Sequence, residues 1–273
     1  MKYLIIAVLL TVLYIAFNQR LQTTFYEIES HKIKNRVRIA VLGDLHCELY
    51  GKNQIKIIKA IEKANPDVVV FTGDIFDKHC KDRGSETLLK LVGERYKSFF
   101  VNGNHEFKRG VANTLPEKLK SLNVTHLRGE AIKTEINGTP IVFCGVDDIS
   151  CNYFMGEKDL FQSQIKKVAN REDKNLYSVL LCHQPQITKY HKQSDVDLVI
   201  SGHAHGGQWR LPFLRNGLFC PDEGLFPKYS AGLVKNNGYN LVVTRGLARH
   251  AVPIPRIFNR PEIAVIDLYC VKH

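Results

Sequence analysis

The chain predicts an α/β fold: two mixed β-sheets packed face to face and flanked by helices, a four-layer α/β/β/α sandwich, with an N-terminal apolar anchor helix ahead of it. Three observations lead there. Through the first half, short apolar β-branched runs alternate with segments of helical periodicity, which implies parallel strands joined by crossover helices. The second half opens on Asn137-Gly138 between two strand-like runs, a hairpin signal that adds an antiparallel pair. Five apolar runs end in Asp, Asn or His, where open α/β sheets carry their ligands.

The elements follow in order. From Tyr3 to Phe17 the chain is almost wholly apolar, broken by Thr11. Fifteen residues are short for a spanning helix, which needs about 17–25, but Asn18 and Gln19 at the interface make a thinned span conceivable. No A-x-A cleavage site follows, so residues 1–20 read as an uncleaved membrane anchor in preference to a signal segment. Residues 21–35 are a polar connector with an edge strand near Thr24 to Ile28, and the globular domain runs over 36–273. Val37 to Leu42 reads as a strand ending at Gly43. Ile55, Ile58, Ile61 and Ala64 then recur at helical spacing, and Pro66 enforces a stop. The run Val68 to Thr72, a helix from Ser85 to Gly93, the run Ser98 to Val101 and a helix from Leu115 to Leu122 complete the first half. In the second half, Ala131 to Ile136 and Thr139 to Val146 form the hairpin. A helix from Lys158 to Ala169 precedes the strands Val179 to Cys182 and Val196 to Ile200. A Gly-, Pro- and aromatic-rich stretch runs to Tyr239, and Asn240 to Thr244 and Glu262 to Leu268 close the sheets.

Composition bounds the partners. A chain of 273 residues, 44% hydrophobic and 24% charged, supports one large folded domain. The formal charge of +11 fits a basic solvated face or attraction to anionic lipid head groups. The basic residues show no interleaved stacking aromatics, so no nucleic-acid partner is expected. Seven scattered cysteines without a C-x-x-C pair read as buried thiols in a reducing compartment.

The chemistry lies at the strand ends. The runs deliver Gly43-Asp44-Leu45-His46, Gly73-Asp74-Ile75-Phe76-Asp77, Gly103-Asn104-His105-Glu106, His183, and Gly202-His203-Ala204-His205. Asp44, His46, Asp74, Asn104, His183, His203 and His205 are too many groups for one tetrahedral ion and enough for two. Carboxylate and imidazole donors suit Mn, Fe, Zn or Co. Two ions about 3.5–4 Å apart clamp an in-line phosphoryl displacement, with a hydroxide shared between them as nucleophile. No Ser or Cys elbow motif competes with this.

The ordered set D-x-H, G-D-x-x-D, G-N-H-E, an isolated His and G-H-x-H resembles the calcineurin-like metallophosphoesterases over residues 37 to 268. The resemblance implies two divalent metal ions, with manganese foremost. By motif, Asp44, His46 and His205 match the ligands of the first metal. Asn104, His183 and His203 match those of the second, and Asp74 matches the bridge. His105 matches the histidine that faces the leaving oxygen, with Asp77 as its orienting carboxylate. Gly206 to Pro212, Gly224 to Tyr229 and Phe258 to Glu262 are similar to a membrane-associated bacterial branch. That branch implies a phosphodiester or pyrophosphate substrate, lipid-linked as in UDP-2,3-diacylglucosamine, and a cell-membrane location. The alternatives are a phosphoprotein or phosphomonoester phosphatase and a non-catalytic membrane-tethered metal-binding module. The first fits poorly, because Lys78-His79 follows Asp77 where protein phosphatases carry Arg-Gly. Arg245, Arg249, Arg256 and Arg260 are candidates for holding a substrate phosphate, weighed against a solvated basic face. His31, His79, His126, His191, His250 and His273 have no ligand spacing and read as surface or core.

Overall fold

Along Val37–Leu42, Ile39 and Val41 face one cluster of buried side chains while Ala40 and Leu42 face another. This period-two split is that of a strand covered on both sides, and it recurs through both sheets. The computed structural model describes residues 1–79, 81–214, 216–220, 223–250 and 254–271. The elements in chain order are α1 (Lys2–Ala16), β1 (Gln22–Glu29), β2 (Val37–Leu42), α2 (Ile55–Ala64), β3 (Val68–Phe71), α3 (Arg83–Gly93), β4 (Lys97–Phe100), α4 (Asn104–Arg109), α5 (Leu115–Ser121), β5 (Thr125–His126), β6 (Ala131–Ile136), β7 (Thr139–Gly145), α6 (Cys151–Phe154), α7 (Leu160–Ala169), β8 (Tyr177–Leu181), α8 (Thr188–Gln193), β9 (Leu198–Ser201), β10 (Phe219–Cys220), β11 (Gly224–Leu225), β12 (Gly232–Asn236), β13 (Tyr239–Val243) and β14 (Glu262–Tyr269).

The first sheet has the order β1-β14-β2-β3-β4-β5 and the second β12-β13-β9-β8-β7-β6. Both are mixed. β14 runs antiparallel to β2, and β2, β3 and β4 run parallel. β7, β8, β9 and β13 are parallel, with β6 and β12 antiparallel at the two edges. The sheets meet through one shared core that includes Val41, Val70, Phe99, Phe143, Val179 and Ile200, with the Phe99 and Phe143 rings stacked at 4.5 Å. α2 and α3 cover the outer face of the first sheet through Ile57, Ile61, Leu88 and Val92. α7 covers the outer face of the second through Phe161, Ile165 and Val168. The four layers follow because each strand buries both faces, so each sheet needs a helical coat outside and a partner sheet inside.

Two expectations are corrected. α1 forms, and every residue from Lys2 to Ile15 is exposed. Its 15 residues reach about 22 Å, against a hydrocarbon core of roughly 30 Å. Among the described residues no helix is long and apolar enough to cross a membrane, so a transmembrane anchor helix is not found. The cysteines are not all thiols either. Cys144, Cys151, Cys182 and Cys220 are buried and free and Cys270 is exposed and free, but Cys47 is disulfide-bonded. Cys80 and His273 lie outside the described residues. The segment read as a connector also contributes more than a short edge: β1 pairs in parallel with β14 over eight positions, Gln22 with Glu262 through Glu29 with Tyr269.

Candidate metal centre

β2, β3 and β4 are parallel neighbours in one sheet, and β8 and β9 are parallel neighbours in the other. Their C-terminal loops therefore open at one end of each sheet. Asp44 and His46 follow β2, Asp74 and Asp77 follow β3, and Asn104 and His105 begin α4 after β4. His183 follows β8, and His203 and His205 follow β9. All nine converge.

The loops are held in unusual backbone. Asp44, His46, Asp74, His203 and His205 have φ of 49°, 46°, 54°, 69° and 47°. Each such non-glycine residue costs about 1–3 kcal/mol unless its surroundings dictate it. Here the loops bind one another. The Asp44 amide donates to the Gly73 carbonyl at 3.0 Å and the His46 amide to the Asp74 carbonyl at 3.0 Å. The His203 amide donates to Asp44 Oδ1 at 2.8 Å, and the His105 amide to Asp74 Oδ1 at 2.8 Å. Close approach is needed at Gly103, where a Cβ would stand 2.2 Å from Asp74 Oδ1.

Three ligand-type groups emerge, each with its donor atoms within 4.8 Å of one another: Asp44, His46 and His205; His46, Asp74 and His105; and Asp74, His183 and His203. Asp74 Oδ2 lies 3.6 Å from His46 Nε2 and 3.2 Å from His183 Nε2, so one oxygen reaches both ends of the site. His183 Nδ1 donates to the Thr72 carbonyl at 2.7 Å, which turns Nε2 into the site. Nε2 faces the Asn104 side-chain amide at 3.1 Å, Asp74 Oδ2 at 3.2 Å and His203 Nδ1 at 3.3 Å. Among the described residues Asp44 Oδ2 is buried without a hydrogen-bond partner. Buried carboxylate, imidazole and amide groups converging this closely are the donor set that a cation draws together, so the residues present fit divalent metal.

The electrostatics agree. Burial raises the Asp44 carboxyl above the usual range, with Asp74 adding to it. Burial pushes Asp74 the same way, but His183, His46 and His105 outweigh it and hold the carboxyl well below its ordinary value. His183 is buried, which disfavours charge, yet Asp74 and Asp44 raise its pKa well above normal. The two carboxylates thus favour positive charge at the place where His183 sits.

Asp77 does more than the sequence suggested. Its Oδ2 lies 2.8 Å from His105 Nδ1 and 2.8 Å from His46 Nδ1, so it sets both imidazoles. Sequence reasoning assigned no role to Glu106, which is fully buried. Its carboxylate accepts the amides of Gly103 at 2.7 Å, Asp74 at 2.9 Å, Ile75 at 2.8 Å and Phe76 at 3.0 Å. Its place in G-N-H-E at the start of α4 was the available signal. The C-terminal arginines are mostly engaged with the protein itself. Arg249 pairs with Glu48 at 2.6 Å and Arg245 with Glu262 at 3.7 Å. Arg256 is 1% exposed, and burial draws its pKa down to about 10. Arg260 donates to the carbonyls of Arg20 and Leu21.

Comparison with known proteins gives a consistent result. The model of the family described as calcineurin-like phosphoesterase matches residues 37–207. An uncharacterized metallophosphoesterase of Aquifex aeolicus is 34% identical over 252 residues, covering 89% of this chain and 90% of its own. The uncharacterized metallophosphoesterase YkuE of Bacillus subtilis is 26% identical, covering 91% and 85%. A Danio rerio protein named transmembrane protein with metallophosphoesterase domain is 30% identical; it covers 86% of this chain, and the match spans 53% of its own length. Among solved structures, TT1561 of Thermus thermophilus shares the fold with a TM-score of 0.53 at 12% identity, covering 78% of this chain and 91% of its own.

Proposed function

Because this chain belongs to the calcineurin-like phosphoesterase family, we propose that it hydrolyses a phosphodiester or pyrophosphate bond with two divalent metal ions, manganese foremost. The observation that carries the reading is Asp74 Oδ2, placed between His46 Nε2 and His183 Nε2 at 3.6 and 3.2 Å. Asp44, His46 and His205 would hold one ion and Asn104, His183 and His203 the other, with Asp74 common to both. When bound, the ions supply Lewis-acid polarisation of a phosphoryl oxygen and a lowered pKa for water.

The chain's own groups do the rest. His105 is the partly exposed imidazole of the set, with 22% of its side chain open to solvent. Burial works against charge on it, but Asp77 and Asp74 raise its pKa, which keeps a proton available for the leaving oxygen. Asp77 fixes the ring through Nδ1, so Nε2 is the atom free to give that proton. The apolar exposed α1 supports a membrane-proximal, lipid-linked substrate, as does the Danio rerio relative's name. UDP-2,3-diacylglucosamine belongs to the substrate panel on the strength of the motif resemblance alone.

The test is turnover of bis-p-nitrophenyl phosphate by purified protein supplied with Mn²⁺, Co²⁺, Zn²⁺ or Fe²⁺. Diester cleavage faster than cleavage of p-nitrophenyl phosphate is expected. Faster monoester cleavage would transfer the assignment to a phosphatase, and no turnover with any ion would leave a metal-binding module.

A further inference from the structure

A groove of about 690 Å³ lies at the foot of α1, outside the metal centre. Tyr14, Phe17 and Leu21 give it apolar walls, and Tyr50, Arg20 and Lys56 line it as well. Arg20 and Lys56 are exposed, and among the described residues neither has an ion-pair partner. A third cation, Arg249, is already held by Glu48. The foot is tied firmly to the catalytic domain. The Phe258 amide donates to the Ala16 carbonyl at 2.7 Å, Gln19 Nε2 donates to the Arg256 carbonyl at 3.1 Å, and Arg260 Nε donates to the Arg20 carbonyl at 2.9 Å. Beyond the foot, α1 is apolar on all sides, which is stable only in apolar surroundings.

We propose that this groove seats the phosphate head group of an anionic phospholipid, so that the catalytic domain is docked on the bilayer by a head-group contact as well as by α1. The proposal rests on the reading that α1 lies in a membrane. A helix that enters a bilayer from its exposed end places its foot at head-group depth. At that depth an apolar wall meets the glycerol and upper acyl carbons, while two unneutralised cations meet phosphate. The bonds from Phe258, Gln19 and Arg260 hold the foot of the helix against the domain, so the end that meets the head groups is fixed to the domain.

The experiment is flotation of the full chain with vesicles of phosphatidylcholine alone or of phosphatidylcholine with phosphatidylglycerol. The chain is expected to prefer the phosphatidylglycerol vesicles. Arg20→Ala with Lys56→Ala should weaken that binding about thirtyfold and leave phosphatidylcholine binding unchanged, at about fivefold per cation. Arg20→Lys with Lys56→Arg should bind as the natural chain does, and all variants should keep its thermal midpoint. Lys120 and Lys166 are exposed on α5 and α7. If Lys120→Ala with Lys166→Ala costs as much, the attraction is diffuse and the groove is overturned. Equal binding of the natural chain to both vesicle types also overturns the groove and leaves α1 as the membrane contact. Binding to neither overturns the membrane reading, and the groove with it.

Discussion

Asp77 turns one carboxylate oxygen toward two imidazoles at 2.8 Å each, His105 and His46. Burial pushes its pKa up, but the hydrogen bonds from His105, His46 and the His79 amide hold it well below the carboxylate range. The residue thus couples the proposed proton donor to a proposed ligand. Asp77→Asn should lower kcat about 10–100-fold, the usual cost of losing a partner behind a metal-site histidine. Metal content by mass spectrometry should fall in the same variant, because His46 loses its anchor too; intact metal content would confine Asp77 to His105. His191 shows the opposite use of a histidine. It is fully buried, against Tyr239 at 6.1 Å between centroids, and burial draws its pKa down to about 4. The folded chain therefore refuses a proton that the unfolded chain accepts below about pH 6.5. Stability is whole above that pH and declines toward pH 4 by about 1.4 kcal/mol per unit for this residue. Urea unfolding across that window should show a shallower acid decline in His191→Phe, by about that slope. An unchanged slope would place the acid sensitivity elsewhere.

At the scale of elements, the short α4 carries the site. Its first turn holds Asn104, His105 and Glu106, and Glu106 gathers the amides of Gly103, Asp74, Ile75 and Phe76 under one carboxylate. The β3 and β4 loops are thereby clamped together. Glu106→Gln replaces an acceptor with an amide NH₂ facing backbone N–H groups, so it should cost about 2–3 kcal/mol of stability. It should also weaken metal binding about 10–100-fold, because Asp74 and Asn104 lose their common support. Calorimetry and metal titration of the variant check both numbers; unperturbed metal affinity would reduce Glu106 to a structural role. The two residue types at this element differ in how legible they were. Asn104 and His105 stood out because an apolar strand stops and ligand atoms follow at once, a local pattern. Glu106 acts through four amides from two loops, and nothing in a linear sequence ties residue 106 to residues 74–76. The same limit hid the pairing of β1 with β14, whose partners are separated by most of the chain. It also hid the second bond of Asp77. Strand identity and strand-end chemistry are written locally, whereas register between distant segments is settled only by packing.

Across the whole molecule, the two sheets share one apolar interlayer and one polar end. Asp44, His46, Asp74 and Asn104 come from the first sheet's loops, and His183, His203 and His205 from the second's. Any ion bound between Asp74 and His183, or between Asp44 and His205, therefore joins the two sheets. Without ions the same end holds the two buried carboxylates of Asp44 and Asp74 within reach of each other's charge and five backbone positions in the left-handed region, so it opposes the packing of the interlayer. Metal that binds only the folded chain adds about 2.7 kcal/mol per site at a hundredfold excess over Kd, or about 5 kcal/mol for two independent sites. For a domain of this size, about 2–4 °C in midpoint accompanies each kcal/mol. Chelation with excess EDTA should therefore lower the thermal midpoint by about 10–20 °C, the product of those two figures. Turnover of the diester should be lost in parallel, and dialysis into Mn²⁺ should restore both. Asp74→Asn should show a low midpoint that neither chelator nor Mn²⁺ moves by more than the shift of a single site. A natural chain whose midpoint ignored the chelator would mean that the sheets are joined by the interlayer alone, and that the strand-end residues hold no ion.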